Sequence, residues 1–239
     1  MSRKIALVFG GSRGIGAACV EALARDGHDV AFTFVASQPA AREAGGARIQ
    51  PYRAEITDPA QVAQVFADVA RDFGGAPSCV VANAGINVPP GPLAQFAPEN
   101  FRRLVEVNIV GAFNILQEAA RQVADNGAII ALTTSLVRVA APGLGPYSAT
   151  KAAVECLVRS LSKELAGRGV RVNAVAPGPV DTDLFRAGKD DAALSRSAAL
   201  SPFNRVGRPE EVAEVISFLA SDRASWVHGQ IVQPNGGLV

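Results

Sequence analysis

Residues 4–16 read Lys4-Ile5-Ala6-Leu7-Val8-Phe9-Gly10-Gly11-Ser12-Arg13-Gly14-Ile15-Gly16, and helix-like sequence follows directly. A short apolar run thus passes straight into spaced glycines and a helix start. Glycine lets the backbone turn tightly and approach a ligand closely. A helix start presents unpaired amides and the positive end of a dipole. Together they predict a strand–turn–helix that cradles a pyrophosphate, the opening unit of a dinucleotide-binding domain. Any tight strand-to-helix turn needs glycine, so the rest of the chain has to support this reading.

Outward from that turn, short apolar runs at 30–35, 48–54, 79–82, 128–133, 170–176 and 230–233 alternate with helix-like segments at 14–26, 58–73, 98–123, 147–166 and 209–220. Asp58-Pro59 and Arg208-Pro209-Glu210-Glu211 look like helix starts, with proline in the first turn and acids near the positive dipole end. Nearly continuous apolar strands imply a sheet covered on both faces. The prediction is one doubly wound α/β domain of Rossmann type over 1–239, with a mostly parallel seven-stranded sheet and helices on both faces. Segment 177–208 lacks a sustained period and is open to two readings, a substrate lid or a pair of short surface helices.

With 49% hydrophobic and 19% charged residues the chain can bury a full core. A net charge of +1 with scattered basic residues argues against a nucleic-acid stripe or a polybasic membrane patch. Cys19, Cys79 and Cys156 are dispersed and predicted to be buried thiols in a reducing compartment. With only His28 and His228 available, no metal site is expected. The apolar run at the start is too short for a signal peptide, and none reaches the ~18 residues of a membrane span. A cytoplasmic location is expected.

Chemistry enters with Tyr147-Ser148-Ala149-Thr150-Lys151. Residues four apart share a helix face, so the phenol and ammonium can enter one pocket. A free phenol, with a pKa near ~10, shuttles protons poorly at neutral pH, and a nearby cation is expected to lower that value. The pair suits proton exchange with an alcohol or carbonyl oxygen while hydride moves to or from a nicotinamide. Its bland alternative is a helix-start tyrosine with a surface lysine. An acid that selects NAD would stand about 20 residues past the glycines. That count reaches Ala36 and Ser37, where there is none, while Arg13 and the Ser37 hydroxyl suit a 2′-phosphate. NADP(H) is therefore favoured over NAD(H).

The glycine turn, Ala82-Asn83-Ala84-Gly85, the Tyr147/Lys151 pair, Asn173-Ala174-Val175-Ala176-Pro177-Gly178 and Asn235-Gly236-Gly237 occur in that order. They resemble the short-chain dehydrogenase/reductase family over essentially the whole chain. Phe9 departs from the family's threonine and removes a hydrogen bond usual there. The resemblance implies that Tyr147 is the general acid in ketone reduction. Lys151 would lower its pKa and bind the nicotinamide ribose, and Asn108 would anchor a water relay to that lysine. It also implies cofactor contacts from Gly10, Ser12, Arg13, Gly14, Ile15 and Gly16, from Glu55 and Ile56, and from Asn83, Ala84 and Gly85. Pro177, Gly178, Val180 and Thr182 would complete them, with Thr182 meeting the carboxamide.

Relatives place an oxyanion-binding serine 13 residues before the tyrosine. That count selects Thr134, residue type selects the adjacent Ser135, and one step along a strand reverses side-chain direction. The reading leans to Ser135. Ile86, Val88, Leu136, Val137, Leu144, Leu184 and Phe185 form the candidate substrate pocket, apolar enough for an acyl chain or a small ring ketone. Within the family the sequence looks closest to 3-oxoacyl-carrier-protein reductases and the hydroxynaphthalene-reductase-like group. Arg102, Arg103, Arg121 and Arg168 are candidates to meet an acidic carrier protein, tempered by Asp125 and the near-zero net charge.

Two helices are apolar over more than one face. One carries Ala153, Val154, Cys156, Leu157, Val158, Leu161 and Leu165; the other carries Leu104, Val105, Val107, Ile109, Val110, Ile115 and Leu116. Both are expected to pair with symmetry mates in a dimer or, as in many relatives, a tetramer. Two rival functions remain. Gly10-Gly11-Ser12-Arg13-Gly14 also fits the nucleophile elbow of a hydrolase, with Ser12 as nucleophile and His228 as its base. The same fold could instead serve a non-catalytic NADP(H)-binding sensor.

Overall fold

A computed structural model describes residues 3–36 and 39–239; Ser37, expected beside a 2′-phosphate, lies outside them. Among the described residues are eight strands: β1 (Lys4–Phe9), β2 (His28–Phe34), β3 (Arg42–Ala44), β4 (Ala47–Arg53), β5 (Cys79–Ala82), β6 (Ala128–Leu132), β7 (Arg171–Val175) and β8 (Ile231–Val232). They form one sheet in the order β3-β4-β2-β1-β5-β6-β7-β8, parallel except for β3. The seven expected strands are present. β3 is additional, a three-residue polar edge strand turned back through Gly45 and Gly46, and Arg-Glu-Ala carries no apolar signal that would have revealed it.

Period-two alternation divides the buried strand residues between two cores. Leu7 and Phe9 face α2 (Pro59–Phe73), α4 (Ala112–Gln122) and α6 (Gly145–Leu165), while Ala6 and Val8 face α1 (Gly14–Arg25) and α9 (Pro209–Ala220). Phe9, where a threonine was expected, is a fully buried core ring 5.8 Å from Phe66. The order reverses between β1 and β5, so their carboxyl ends frame the crevice where open α/β sheets bind ligands.

The predicted helix 98–123 is interrupted. It comprises α3 (Pro98–Val105), a π-helical turn (Glu106–Gly111) and α4. The segment 177–208 holds two short helices, α7 (Asp183–Arg186) and α8 (Asp191–Ala199), of mostly exposed residues. A further short helix, α5 (Leu136–Val139), follows β6.

The breadth of the two apolar helices has an internal cause. Leu104, Ile115, Leu116, Val154, Val158 and Leu165 are buried in the protein's own core, and Val107, Leu157 and Leu161 pack against it. Phe101 and Phe113, 44% and 43% exposed, are left at the surface with Val105 and Ile109 between them. Cys19 and Cys79 are buried as expected, but Cys156 is exposed on α6. Among the described residues no helix is long and apolar enough to cross a membrane.

Candidate active site

The glycine turn is shaped by its own closure. Gly10 and Gly14 take φ of 78° and 55°, in the left-handed region that favours glycine. A Cβ on Gly16 would lie 2.0 Å from the Gly10 carbonyl oxygen, so no larger residue fits there. Asn83 Nδ2 donates to that same oxygen at 2.8 Å, and the Gly10 amide donates to Thr33 Oγ1 at 2.9 Å. Thr33, at the end of β2, supplies a hydroxyl to the turn where Phe9 cannot. The first turn of α1 has neither an acid nor a side-chain cap, which leaves its amides for a ligand. Ser12 and Arg13 are exposed beside them, and among the described residues Arg13 has no ion-pair partner. An anionic diphosphate fits this cradle.

Asn83, Ala84 and Gly85 extend from the glycine turn to Asn108 and Lys151. Ala84 abuts Gly10, and a Cβ on Gly85 would stand 3.1 Å from Asn108 Oδ1 and 3.3 Å from Lys151 Nζ. Asn108 lies within the π-helical turn, an interruption found frequently at functional sites. Its buried side chain accepts from the Ile86 amide at 2.9 Å and donates to the Ile86 carbonyl at 3.0 Å and Thr150 Oγ1 at 3.2 Å. It therefore joins the end of β5 to α6.

Tyr147 and Lys151 rise from the first two turns of α6. Burial pushes the Tyr147 phenol up to about 12 and the Lys151 ammonium down to about 8. The expected lowering of the phenol by its lysine is thus not the condition of the free protein. Desolvation dominates both groups, and Lys151 Nζ donates to the Leu132 carbonyl at 2.9 Å. At neutral pH the phenol is protonated and the ammonium retains its charge.

The two adjacent hydroxyls are clearly separated. Ser135 is fully buried; its Oγ donates to the Ala176 carbonyl at 2.7 Å and accepts from Asn235 Nδ2 at 3.1 Å. Its amide donates to the Pro177 carbonyl at 2.9 Å. These contacts brace the 176–178 turn, where Gly178 packs on Asn235 too closely for a Cβ. Thr134 Oγ1 accepts from the Leu136 amide at 3.3 Å and donates to no described residue. The lean to Ser135 meets a committed hydroxyl, whereas the Thr134 proton is free.

The other expected residues are distributed as follows. Thr182 adjoins Gly14, closing the crevice from the β7 side, but its Oγ1 caps α7 by accepting from the Phe185 amide at 3.1 Å. Val180 and Ile56 are buried, and Glu55 is exposed. Val88 is buried, Ile86 and Leu144 are half-buried, Leu136 and Val137 lie on α5, and Leu184 and Phe185 lie on α7. The expected pocket therefore draws on two separate short helices. His228 is structural: Nδ1 accepts from the Val172 amide at 3.2 Å, so Nε2 donates to the Ser162 carbonyl at 2.7 Å. With its lone pair engaged it cannot serve Ser12 as a base, which removes the hydrolase reading. Sequence reasoning missed Thr33, Thr150 and the bracing role of Asn235, all ordinary polar residues with no spacing signal.

A glycine-turn cradle joined through β5 to a half-buried tyrosine and a buried lysine on one helix defines an oxidoreductase of the doubly wound α/β class. The family described as enoyl-(acyl carrier protein) reductase matches residues 10–239. A short-chain type dehydrogenase/reductase from Picea abies is 41% identical, over 99% of this chain and 92% of the relative. An NADPH-dependent aldehyde reductase-like protein, chloroplastic, from Arabidopsis thaliana is 39% identical, over 100% and 95%. A short chain dehydrogenase from Burkholderia cenocepacia J2315, solved in complex with NADP, superimposes with a TM-score of 0.87 at 31% identity, over 98% and 97% of the two chains. The chain belongs to the short-chain dehydrogenase/reductase family.

Proposed function

We propose that the protein is an NADP(H)-dependent reductase that converts a ketone to a secondary alcohol. The observation that carries this reading is the pair Tyr147 and Lys151 on one face at the start of α6, with the lysine ammonium beside Gly85 at the end of the glycine-turn cradle. Bound NADPH supplies the hydride. Tyr147 gives its proton to the oxygen that gains charge, and Thr134 offers that oxygen its free hydroxyl proton. Lys151 supplies positive charge from the same helix face as the phenol, and Asn108 ties the turn after β5 to α6 through Ile86 and Thr150. A panel of β-ketoacyl thioesters, diketones and cyclic ketones assayed with NADPH tests this. Binding of NADPH without oxidation by any of them would favour a sensor.

NADP(H) preference is supported by the exposed Arg13 and by the absence of an acid from the sequence at Ala36 and Ser37. The Arabidopsis relative is named as NADPH-dependent, and the Burkholderia structure holds NADP. NADPH should bind at least ~10-fold tighter than NADH, about 1.4 kcal/mol. Arg13→Ala should erase most of that gap in fluorescence titrations. Equal affinities in the unmodified protein would defeat the assignment.

The Phe101–Phe113 stripe supports self-association of the α3–α4 face as a dimer or tetramer. Light scattering at micromolar concentration should show more than one protomer, and a monomer would exclude it. α7 and α8, carrying Leu184 and Phe185, are proposed as the substrate lid. Of the four arginines offered to a carrier protein, Arg121 already pairs with Glu118 at 3.0 Å and Arg168 with Asp125 at 2.8 Å. Only Arg102 and Arg103 are left for that role, so a free acyl or ring ketone is the favoured substrate class.

A further inference from the structure

Glu155 is a buried carboxylate, 3% exposed, with no part in proton transfer or cofactor binding as described above. It lies on α6 one turn beyond Lys151. Arg138, at the end of α5, meets it with two parallel bonds, Nη1 to Oε1 at 2.9 Å and Nη2 to Oε2 at 3.1 Å. Thr133 Oγ1 donates to the same Oε1 at 3.3 Å. Arg159, one helical turn further along α6, is more distant at 3.9 Å. Burying a carboxylate is costly unless its charge and lone pairs are matched. The planar guanidinium fork matches them with a fixed direction as well as a charge.

The placement is informative. Thr133 immediately precedes Thr134, and Arg138 follows it four residues later. One carboxylate on the helix that bears Tyr147 and Lys151 therefore holds both flanks of the free hydroxyl. Lys151 adds a tie to the neighbouring Leu132 carbonyl. We infer that Glu155 and Arg138 are positioning residues that set the Thr134 hydroxyl relative to the Tyr147–Lys151 pair. This rests on the reductase reading above. An oxyanion donor works only where its proton meets the developing charge, so a displaced Thr134 would lose much of its effect.

The test uses R138M, R138K and E155Q, alone and combined with Thr134→Val. R138M should lower kcat for the best ketone by about 10-fold or more with NADPH affinity unchanged, and R138K, which restores one donor, should recover part of it. In the Thr134→Val background R138M should cost almost nothing further, because both changes remove the same interaction. Additive losses would overturn the inference, as would unchanged kcat in R138M. R138K keeps the buried charge paired and E155Q leaves none unpaired on Glu155, so a folding failure of R138M does not end the test.

Hydrogen exchange gives a readout independent of turnover. Amides of 134–140 should exchange at least ~10-fold faster in R138M and E155Q, with β6 and α6 unaffected. Unchanged protection overturns the tether, whatever the substrate proves to be. Failure of the unmodified protein to reduce any ketone would instead overturn the reductase reading.

Discussion

Tyr147→Phe is expected to lower ketone-dependent NADPH oxidation by about 10³-fold while NADPH affinity changes by less than about twofold. The ring is retained and only the proton source is lost. The neighbouring Ser135 hydroxyl is no replacement, because it donates to the Ala176 carbonyl, and the Thr134 hydroxyl is a hydrogen-bond donor to the oxygen and too weak an acid to take over proton transfer. The pH dependence of the unmodified protein should show the same division of labour. Burial holds the phenol near 12, so it stays protonated through the neutral and mildly alkaline range. The Lys151 ammonium, lowered to about 8, loses its charge above that pH. Because kcat/KM reports groups of the free enzyme, it should be flat below pH 8 and fall as pH rises through it. Substantial turnover by Tyr147→Phe, or a rate that climbs above pH 8, would remove the proposed mechanism.

Thr134→Val should lower kcat about 100-fold with little loss of stability, and Ser135→Ala should do nearly the reverse. Valine keeps the branched shape and deletes a proton that no described residue accepts. Removing an oxyanion donor typically costs 10²–10³-fold in turnover. Ser135→Ala strips a partner from the buried Ala176 carbonyl and from Asn235 Nδ2, at a cost of about 1–3 kcal/mol in unfolding free energy. Steady-state kinetics and urea denaturation of the two variants separate the effects. The opposite ordering in kcat would return the oxyanion role to Ser135.

The contrast between these neighbours shows where sequence reasoning reached its limit. The glycine turn and the tyrosine–lysine pair are local patterns whose spacing carries their geometry, so residues 10–16 and 147–151 were legible directly. The alternating apolar runs likewise disclosed the parallel sheet, because strands buried on both faces have little latitude in composition. The direction of the Ser135 side chain depends on Ala176 and Asn235, which are 41 and 100 residues away. No local count contains that information. The phenol was misjudged for a related reason. Four-residue spacing places a cation near it, but the extent of desolvation is decided by everything packed around the pair. β3 and the π-helical turn were missed because one carries no apolar signal and the other leaves helical periodicity almost intact.

The bond from Asn235 to Ser135 also has a consequence for the order of events during synthesis. Ribosomes deliver the chain from its amino end, and β1, β2 and the glycine turn can begin to associate early. Tyr147, Lys151 and Thr134 emerge long before residue 235. Until then Ser135 lacks its amide donor, the turn at 176–178 lacks the residue it packs on, and β7 lacks its outer neighbour. A nascent chain paused near residue 230 would hold every group assigned to proton transfer without the brace that orders them. The groups assigned to proton transfer thus gain this brace only once residue 235 has been made.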